Sequence, residues 1–140
     1  MACVFCGIVA GTAPAIRVYE DDDYLGFLDI RPFTRGHTLV IPKQHSVDLT
    51  DTPAPVLAGL LTVGQRIARA TRASGLAATG NNVAINDGKS AFQSVFHIHL
   101  HVVPRHDGDK LSFAKGLLVR RDPDRESTGR LLREALAVLP

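Results

Sequence analysis

The run Ser94-Val95-Phe96-His97-Ile98-His99-Leu100-His101-Val102-Val103 constrains this chain more than any other stretch. Polar and apolar side chains alternate along it at period two, among aromatic and β-branched residues, and that pattern predicts a half-buried β-strand over residues 94–103. On such a strand Ile98, Leu100 and Val102 point into a core, whereas His97, His99 and His101 share the opposite face. Successive imidazoles on one face stand about 6.5–7 Å apart, close enough for their tips to converge on one phosphate-sized group or, for two of them, on a metal ion. A lone histidine here would read as a satisfied core residue. Three in strict alternation, half of the six in the chain, read as a site.

With 140 residues, 45% of them hydrophobic, the chain is long enough to bury one core, and residues 1–140 are expected to form a single domain. The net charge of +2 comes from scattered Lys and Arg, which argues against a nucleic-acid-coating surface or a membrane-binding basic patch and leaves room for a small anionic ligand. No apolar run approaches the ~20 residues of a membrane span, and no basic region precedes an apolar one at the N-terminus, so the expected address is the cytoplasm. Both cysteines fall in Cys3-Val4-Phe5-Cys6. In a reducing compartment that spacing means metal or redox chemistry rather than a disulfide framework.

In chain order, Cys3 to Gly11 is apolar and ends at the Thr12-Ala13-Pro14 break. Residues 16–20 and 24–30 alternate on either side of Asp21-Asp22-Asp23, which predicts a hairpin. A loop with Pro32 and Gly36 leads to a third strand over 37–42, stopped by Pro42, with His45 just beyond it. Thr52 reads as a helix cap followed by Pro53, and Val56, Leu57, Leu60, Leu61, Ile67 and Ala68 recur at helical spacing up to Gly75, with Arg66, Arg69 and Arg72 on a solvated face. Residues 82–86 form a fourth strand, 105–116 read as a loop, and 127–139 as a terminal helix. Five short strands and two helices make an α+β domain: an antiparallel sheet covered on one face, with the other free to carry a ligand.

A neutral imidazole is a good nucleophile when one ring nitrogen is bare and the other donates to a carbonyl or carboxylate. His99, flanked on both sides, is best placed to attack, and a neighbouring imidazole can supply protons or positive charge. No carboxylate stands where a Ser-His-Asp relay needs one, and the Walker phosphate loop is absent. Asn86, Gln93 and Ser94 are suited to phosphoryl oxygens or a leaving group, and Asp29 to the hydroxyls of a ribose. A His-x-His pair is also a catalytic zinc geometry when a third ligand joins it, and Cys3 with Cys6 supply two thiolates at a spacing suited to one tetrahedral metal. Redox chemistry at that pair is disfavoured, because no helix N-terminus clearly follows to lower a thiol pKa.

The run His97-Ile98-His99-Leu100-His101-Val102-Val103, led by Gln93-Ser94-Val95-Phe96 and by Gly36-His37-Thr38-Leu39-Val40-Ile41-Pro42-Lys43, closely resembles the histidine triad (HIT) superfamily of nucleotide hydrolases and transferases. Cys3-Val4-Phe5-Cys6 and Pro104-Arg105-His106-Asp107-Gly108-Asp109 resemble its bacterial branch in particular. The motif-bearing part spans about residues 3–109, and 110–140 is an extension. The resemblance implies that His99 forms a covalent nucleotidyl intermediate at the α-phosphate of a purine nucleotide conjugate, a 5′-phosphoramidate or a dinucleoside polyphosphate. His101 would contact non-bridging oxygens, with His37 and His97 completing the catalytic cluster. It places the base among Val4, Phe5, Ile8, Phe27 and Ile30, the ribose at Asp29, the phosphate at Asn86, and the leaving group near Gln93, Ser94 and Val95. It further implies a structural zinc on Cys3, Cys6, His45 and His97, no organic cofactor, and a homodimer with a sheet continued across the interface. A zinc role for His97 would remove it from acid-base work. The tail departs from the eukaryotic phosphoramidases: the chain has no tryptophan. The alternative function is a nucleotide-binding regulatory protein with little turnover.

Overall fold

The computed structural model describes residues 2–140. Strands β1 (Arg17–Glu20), β2 (Tyr24–Leu28) and β3 (Thr38–Pro42) form a meander. The long helix α2 follows, and then β4 (Gly80–Ile85) and β5 (Leu100–Arg105) close one antiparallel sheet in the order β1-β2-β3-β5-β4. The α+β class and the five antiparallel strands agree with the expectation from sequence. Among the described residues the α-helices number four rather than two: α1 (Val4–Ala10), α2 (Ala54–Ala73), α3 (Lys110–Leu118) and α4 (Arg125–Val138). No helix among the described residues is long and apolar enough to cross a membrane.

Helix α2 lies on one face of the sheet because Leu60, Val63, Gly64, Ile67, Ala70 and Thr71 recur every three or four positions and are buried together. Gly64 lets the helix approach closely: a Cβ there would run into the Leu100 side chain. With Leu132, Ala135 and Leu136 of α4 these residues bury Val40, Leu100 and Val102 in the main core. Thr52 does not cap α2. Its hydroxyl donates to the Asp48 carbonyl at 2.6 Å and closes the preceding turn, while Pro53 occupies the cap position without a side-chain bond. Arg69 and Arg72 are solvated as expected, whereas Arg66 is half-buried with its guanidinium 5.7 Å from the Tyr19 ring centre.

The opposite sheet face is not bare. Phe5 and Ile8 of α1 pack on Leu25, Phe27, Leu39 and Ile41 in a second apolar cluster, so the ligand-bearing side is a gap beside α1 rather than an open sheet. Helix α3 replaces the loop expected over 105–116. It lacks a sequence signal because it buries no residue: Leu111 and Leu118 are 88% and 87% exposed, so no apolar stripe marks it. Its start is fixed by Asp109, whose carboxylate takes two bonds of 2.8 Å from the Arg105 guanidinium at the end of β5.

The histidine strand is shorter than the alternation predicted. Pairing begins at Leu100, because the Ile98 amide donates to the Ser46 carbonyl at 2.8 Å instead of joining the ladder. Residues 94–99 form a bent approach to β5. The three imidazoles nevertheless stay on the α1 side, with Phe5 edge-on to His97 at 5.9 Å and to His99 at 5.1 Å and His101 5.0 Å from His99, but their ring nitrogens turn to different partners.

Candidate functional site

His99 sits just before β5 and is buried. Its Nδ1 lies 2.9 Å from the His97 carbonyl oxygen. A carbonyl only accepts, so Nδ1 carries the proton and Nε2 keeps its lone pair. Burial lowers its pKa and favours the neutral ring, against the opposing pull of the carbonyl and of Asp29. Phe5 meets the ring edge-on at 5.1 Å and 88°, which fixes its plane. The requirement for a nucleophilic imidazole, one nitrogen occupied and one bare, is met by geometry alone.

A second chain of tautomers starts at a backbone amide. The Phe33 N–H donates to His37 Nδ1 at 3.0 Å, so the His37 proton is on Nε2. That nitrogen lies 2.9 Å from His101 Nδ1 and donates to it, which leaves the His101 proton on its own Nε2. The His101 Nε2 is buried and has no hydrogen-bond partner among the described residues. Burial and the neighbouring imidazole hold His37 down to about 3 and His101 down to about 4, so both rings are neutral at pH 7. Asp29 Oδ2 stands 3.6 Å from His37 Nε2, and Oδ1 accepts from the Arg31 amide at 2.9 Å. Burial raises the Asp29 pKa.

His97 points elsewhere. Its Nε2 donates to the Pro42 carbonyl at 2.8 Å, which turns a bare Nδ1 towards Cys3, Cys6 and His45. His97 Nδ1 lies 3.5 Å from Cys3 Sγ, 3.6 Å from Cys6 Sγ and 3.2 Å from His45 Nδ1, and Cys6 Sγ lies 3.4 Å from His45 Nδ1. All four ligand atoms fall within 4.8 Å of one another. A tetrahedral zinc with bonds of about 2.3 Å to sulfur and 2.0–2.1 Å to nitrogen requires S···N edges of about 3.5 Å and an N···N edge of about 3.3 Å. The donor set fits that ion. Asp29, His37 and His101 form another such group, but there the facing nitrogens of His37 and His101 are bonded to each other.

Helix α1 overturns one expectation. It begins directly after Cys3, whose Sγ accepts from the Cys6 amide at 3.4 Å as the N-cap, so a helix N-terminus does stand at the Cys-x-x-Cys. The Cys6 thiol is nevertheless pushed up, by burial and by the adjacent Cys3.

Between α1 and the histidines lies a cavity of ≈ 830 Å³. Residues 10–108 match the HIT domain family. The fold superposes with a TM-score of 0.91 on the crystal structure of a Zn-bound histidine triad family protein from Mycobacterium smegmatis, at 74% identity over 98% of this chain and 94% of that one. A HIT-like protein of Mycobacterium tuberculosis is 69% identical over 98% of this chain and 94% of its own length. The adenosine 5′-monophosphoramidase of Saccharomyces cerevisiae is 35% identical over 99% and 83%.

The chain belongs to the HIT family.

In this HIT protein the apolar end of the cavity is lined by Val4, Phe5, Ile8, Phe27 and Ile30. Asp29 stands beside it, and His99, His101, Asn86, Gln93, Ser94 and Val95 line the rest. His37 lies behind His101, and His97, Cys3, Cys6 and His45 form the separate cluster. The Gln93 amide is spent on backbone groups of two loops: Nε2 donates to the Val95 carbonyl and to the Val47 carbonyl beyond β3, and Oε1 accepts from the Gly88 amide. Gln93 therefore shapes the wall rather than offering a free polar group. Phe33, Phe92 and Arg120 also line the cavity without having been singled out in the sequence. Phe92 is 86% exposed, with φ at +70°. Arg120 follows α3, in a stretch that carries no motif.

Proposed function

We propose that this HIT protein is a nucleotide hydrolase or transferase that cleaves the bond between the α-phosphate of a purine nucleotide and its leaving group, by two displacements through His99. The observation that carries the reading is the His99 Nδ1 bond to the His97 carbonyl, which leaves Nε2 bare in a ring that lines a nucleotide-sized cavity. In the first displacement the Nε2 lone pair forms a bond to the α-phosphorus, and the bond to the leaving group breaks with its electron pair going to that group. In the second, water attacks the phosphorus, the P–N bond breaks, and the pair returns to Nε2. Of the two protons of water, one ends on the departed group and the other is released from the nucleotide product. The His101 Nε2–H, held by the Phe33–His37 relay, donates to a non-bridging oxygen that gains charge. Asp29 accepts from the ribose hydroxyls, and the base lies against Phe5, Ile8 and Phe27.

The yeast relative named as an adenosine 5′-monophosphoramidase supports a nucleoside phosphoramidate as substrate class, with a dinucleoside polyphosphate as the other candidate. Zinc on Cys3, Cys6, His45 and His97 would be structural: it would tie α1 to the sheet and hold the His97 carbonyl against His99, and it is consistent with the Zn-bound Mycobacterium smegmatis relative. That assignment takes His97 out of proton transfer. The outer edge of β4, with Val83 43% exposed, is where a homodimer would continue the sheet. Free thiols suit work in the cytoplasm.

The test is turnover of an adenosine phosphoramidate by the wild type and by His99→Asn. The variant is expected to lose turnover while keeping adenosine monophosphate affinity within about threefold, because the missing group acts only in the transition state. Binding without turnover by the wild type itself, across phosphoramidates and dinucleoside polyphosphates, would instead make the protein a nucleotide-binding regulator.

A further inference from the structure

Among the described residues the cavity is lined by one carboxylate, Asp29, and by two cations, Arg31 and Arg120. The two imidazoles that line it are a bare-nitrogen acceptor at His99 and a neutral donor at His101. A nucleotide conjugate arrives with a negative charge on the phosphoryl group, and charge builds on its oxygens as the pentacoordinate state forms. Neutral imidazoles do not balance it. Arg31 lies on the exposed turn whose amide holds Asp29, at the ribose end.

Arg120 is placed differently. Its guanidinium carbon lies 3.9 Å from the Phe33 ring centre. Phe33 stacks on His37 at 5.2 Å and 16°, and His37 is bonded to His101 at 2.9 Å. Phe33 thus carries both Arg120 and His37 against its ring, His37 is hydrogen-bonded to His101 with the rings tilted by 45°, and Arg120 lines the same cavity wall as Asp29 and His101. The Arg120 Nε is buried and has no hydrogen-bond partner among the described residues, so the side chain is held by stacking and keeps its donors free. Helix α3 sets this position. Gly116 lies so close to the Phe33 carbonyl oxygen that a Cβ there would collide with it, which seats the end of the helix on the loop that carries Phe33.

We infer that Arg120, supplied by the extension beyond the triad, is the cation that binds the α-phosphoryl group and stabilises the charge formed when His99 attacks. The inference rests on the His99 reading above but adds a residue from a different part of the chain. Arg120 lines the cavity with His101 and Asp29, and its charge acts on Asp29, His37 and His101, which ties the guanidinium to the phosphoryl group rather than to the leaving group at Ser94. It also predicts indifference to the leaving group: the clamp serves amine and phosphate conjugates equally.

The experiment compares wild type, Arg120→Ala and Arg120→Lys in three readouts: affinity for adenosine and for adenosine monophosphate, single-turnover rates on an adenosine phosphoramidate and on diadenosine tetraphosphate, and rescue by added guanidinium ion. Arg120→Ala is expected to leave adenosine affinity unchanged and to weaken adenosine monophosphate about tenfold or more, as loss of a charged hydrogen bond does. It should slow both substrates by a similar factor, on the order of 10²–10³, with partial recovery in Arg120→Lys and with guanidinium. Loss confined to the tetraphosphate would move Arg120 to the leaving group and overturn the inference, as would an unchanged ratio of adenosine to adenosine monophosphate affinity. Equal weakening of both ligands would mean a structural role and overturn it too. The binding comparison stands whether or not the wild type turns over, so failure of the His99 reading is seen separately, as a wild type without product.

Discussion

Acidification should destabilise this protein through the His37–His101 pair, and by an amount the structure sets. Both rings are held neutral, at about 3 and about 4 in the folded state, whereas an unfolded histidine titrates near 6.5. Between those values the unfolded chain binds more protons than the native one, so the pair's contribution is complete above about pH 6.5 and declines as pH falls towards the native values. At pH 5 each ring has crossed about 1.5 pH units at about 1.36 kcal/mol per unit, roughly 2 kcal/mol apiece and at most about 4 kcal/mol for the pair. A domain of this size has about 5–15 kcal/mol in total, so the loss is large enough to measure. The assay is guanidinium chloride unfolding at pH 7, 6 and 5, on the wild type and on a His37→Gln/His101→Gln double variant. Metal release at low pH acts on both proteins alike, and the difference between their slopes isolates the pair. The wild type should lose about 3–4 kcal/mol more than the variant between pH 7 and 5. Parallel pH profiles would refute neutral burial of these rings and, with it, the assigned tautomers.

Chelation at neutral pH, or Cys6→Ser, should release one zinc per chain, measured by atomic emission, and lower the melting temperature by more than about 5 °C, because a structural metal contributes folding free energy directly; unchanged stability after complete metal removal would exclude a structural role. Asp29→Ala should raise KM about tenfold or more for ribonucleotide conjugates and leave 2′,3′-dideoxy conjugates unaffected, since only the former lose a hydrogen bond to a charged group. Gly64→Val should cost about 1–3 kcal/mol by forcing α2 away from Leu100, and chemical denaturation reads it directly.

Much of the site was legible because its chemistry is local. Alternation around His97, His99 and His101 marked the segment, and the spacing of Cys3 and Cys6 marked a thiol pair that the fold gathers with His45 and His97. What alternation could not convey is that Ile98 leaves the ladder to bond Ser46, and that the His97 Nε2 bond to the Pro42 carbonyl aims Nδ1 at the thiols rather than at the cavity. Helix α1 was hidden because seven residues of apolar sequence fit strand and helix equally. Its N-cap is a cysteine, which is no ordinary start signal. Arg120 was illegible for another reason: its place follows from Gly116 meeting the Phe33 carbonyl across the fold, a contact with no trace in local sequence.

The central claim, that His99 Nε2 bonds to phosphorus, is tested most directly by rapid acid-free quenching of the protein with an adenosine phosphoramidate, followed by peptide mass mapping. The account predicts a nucleotidyl adduct that fragmentation of the 90–105 peptide places on His99 itself, formed before product and absent in His99→Asn. Product formation at full rate with no adduct, or an adduct on His97 or His101 instead, would contradict it.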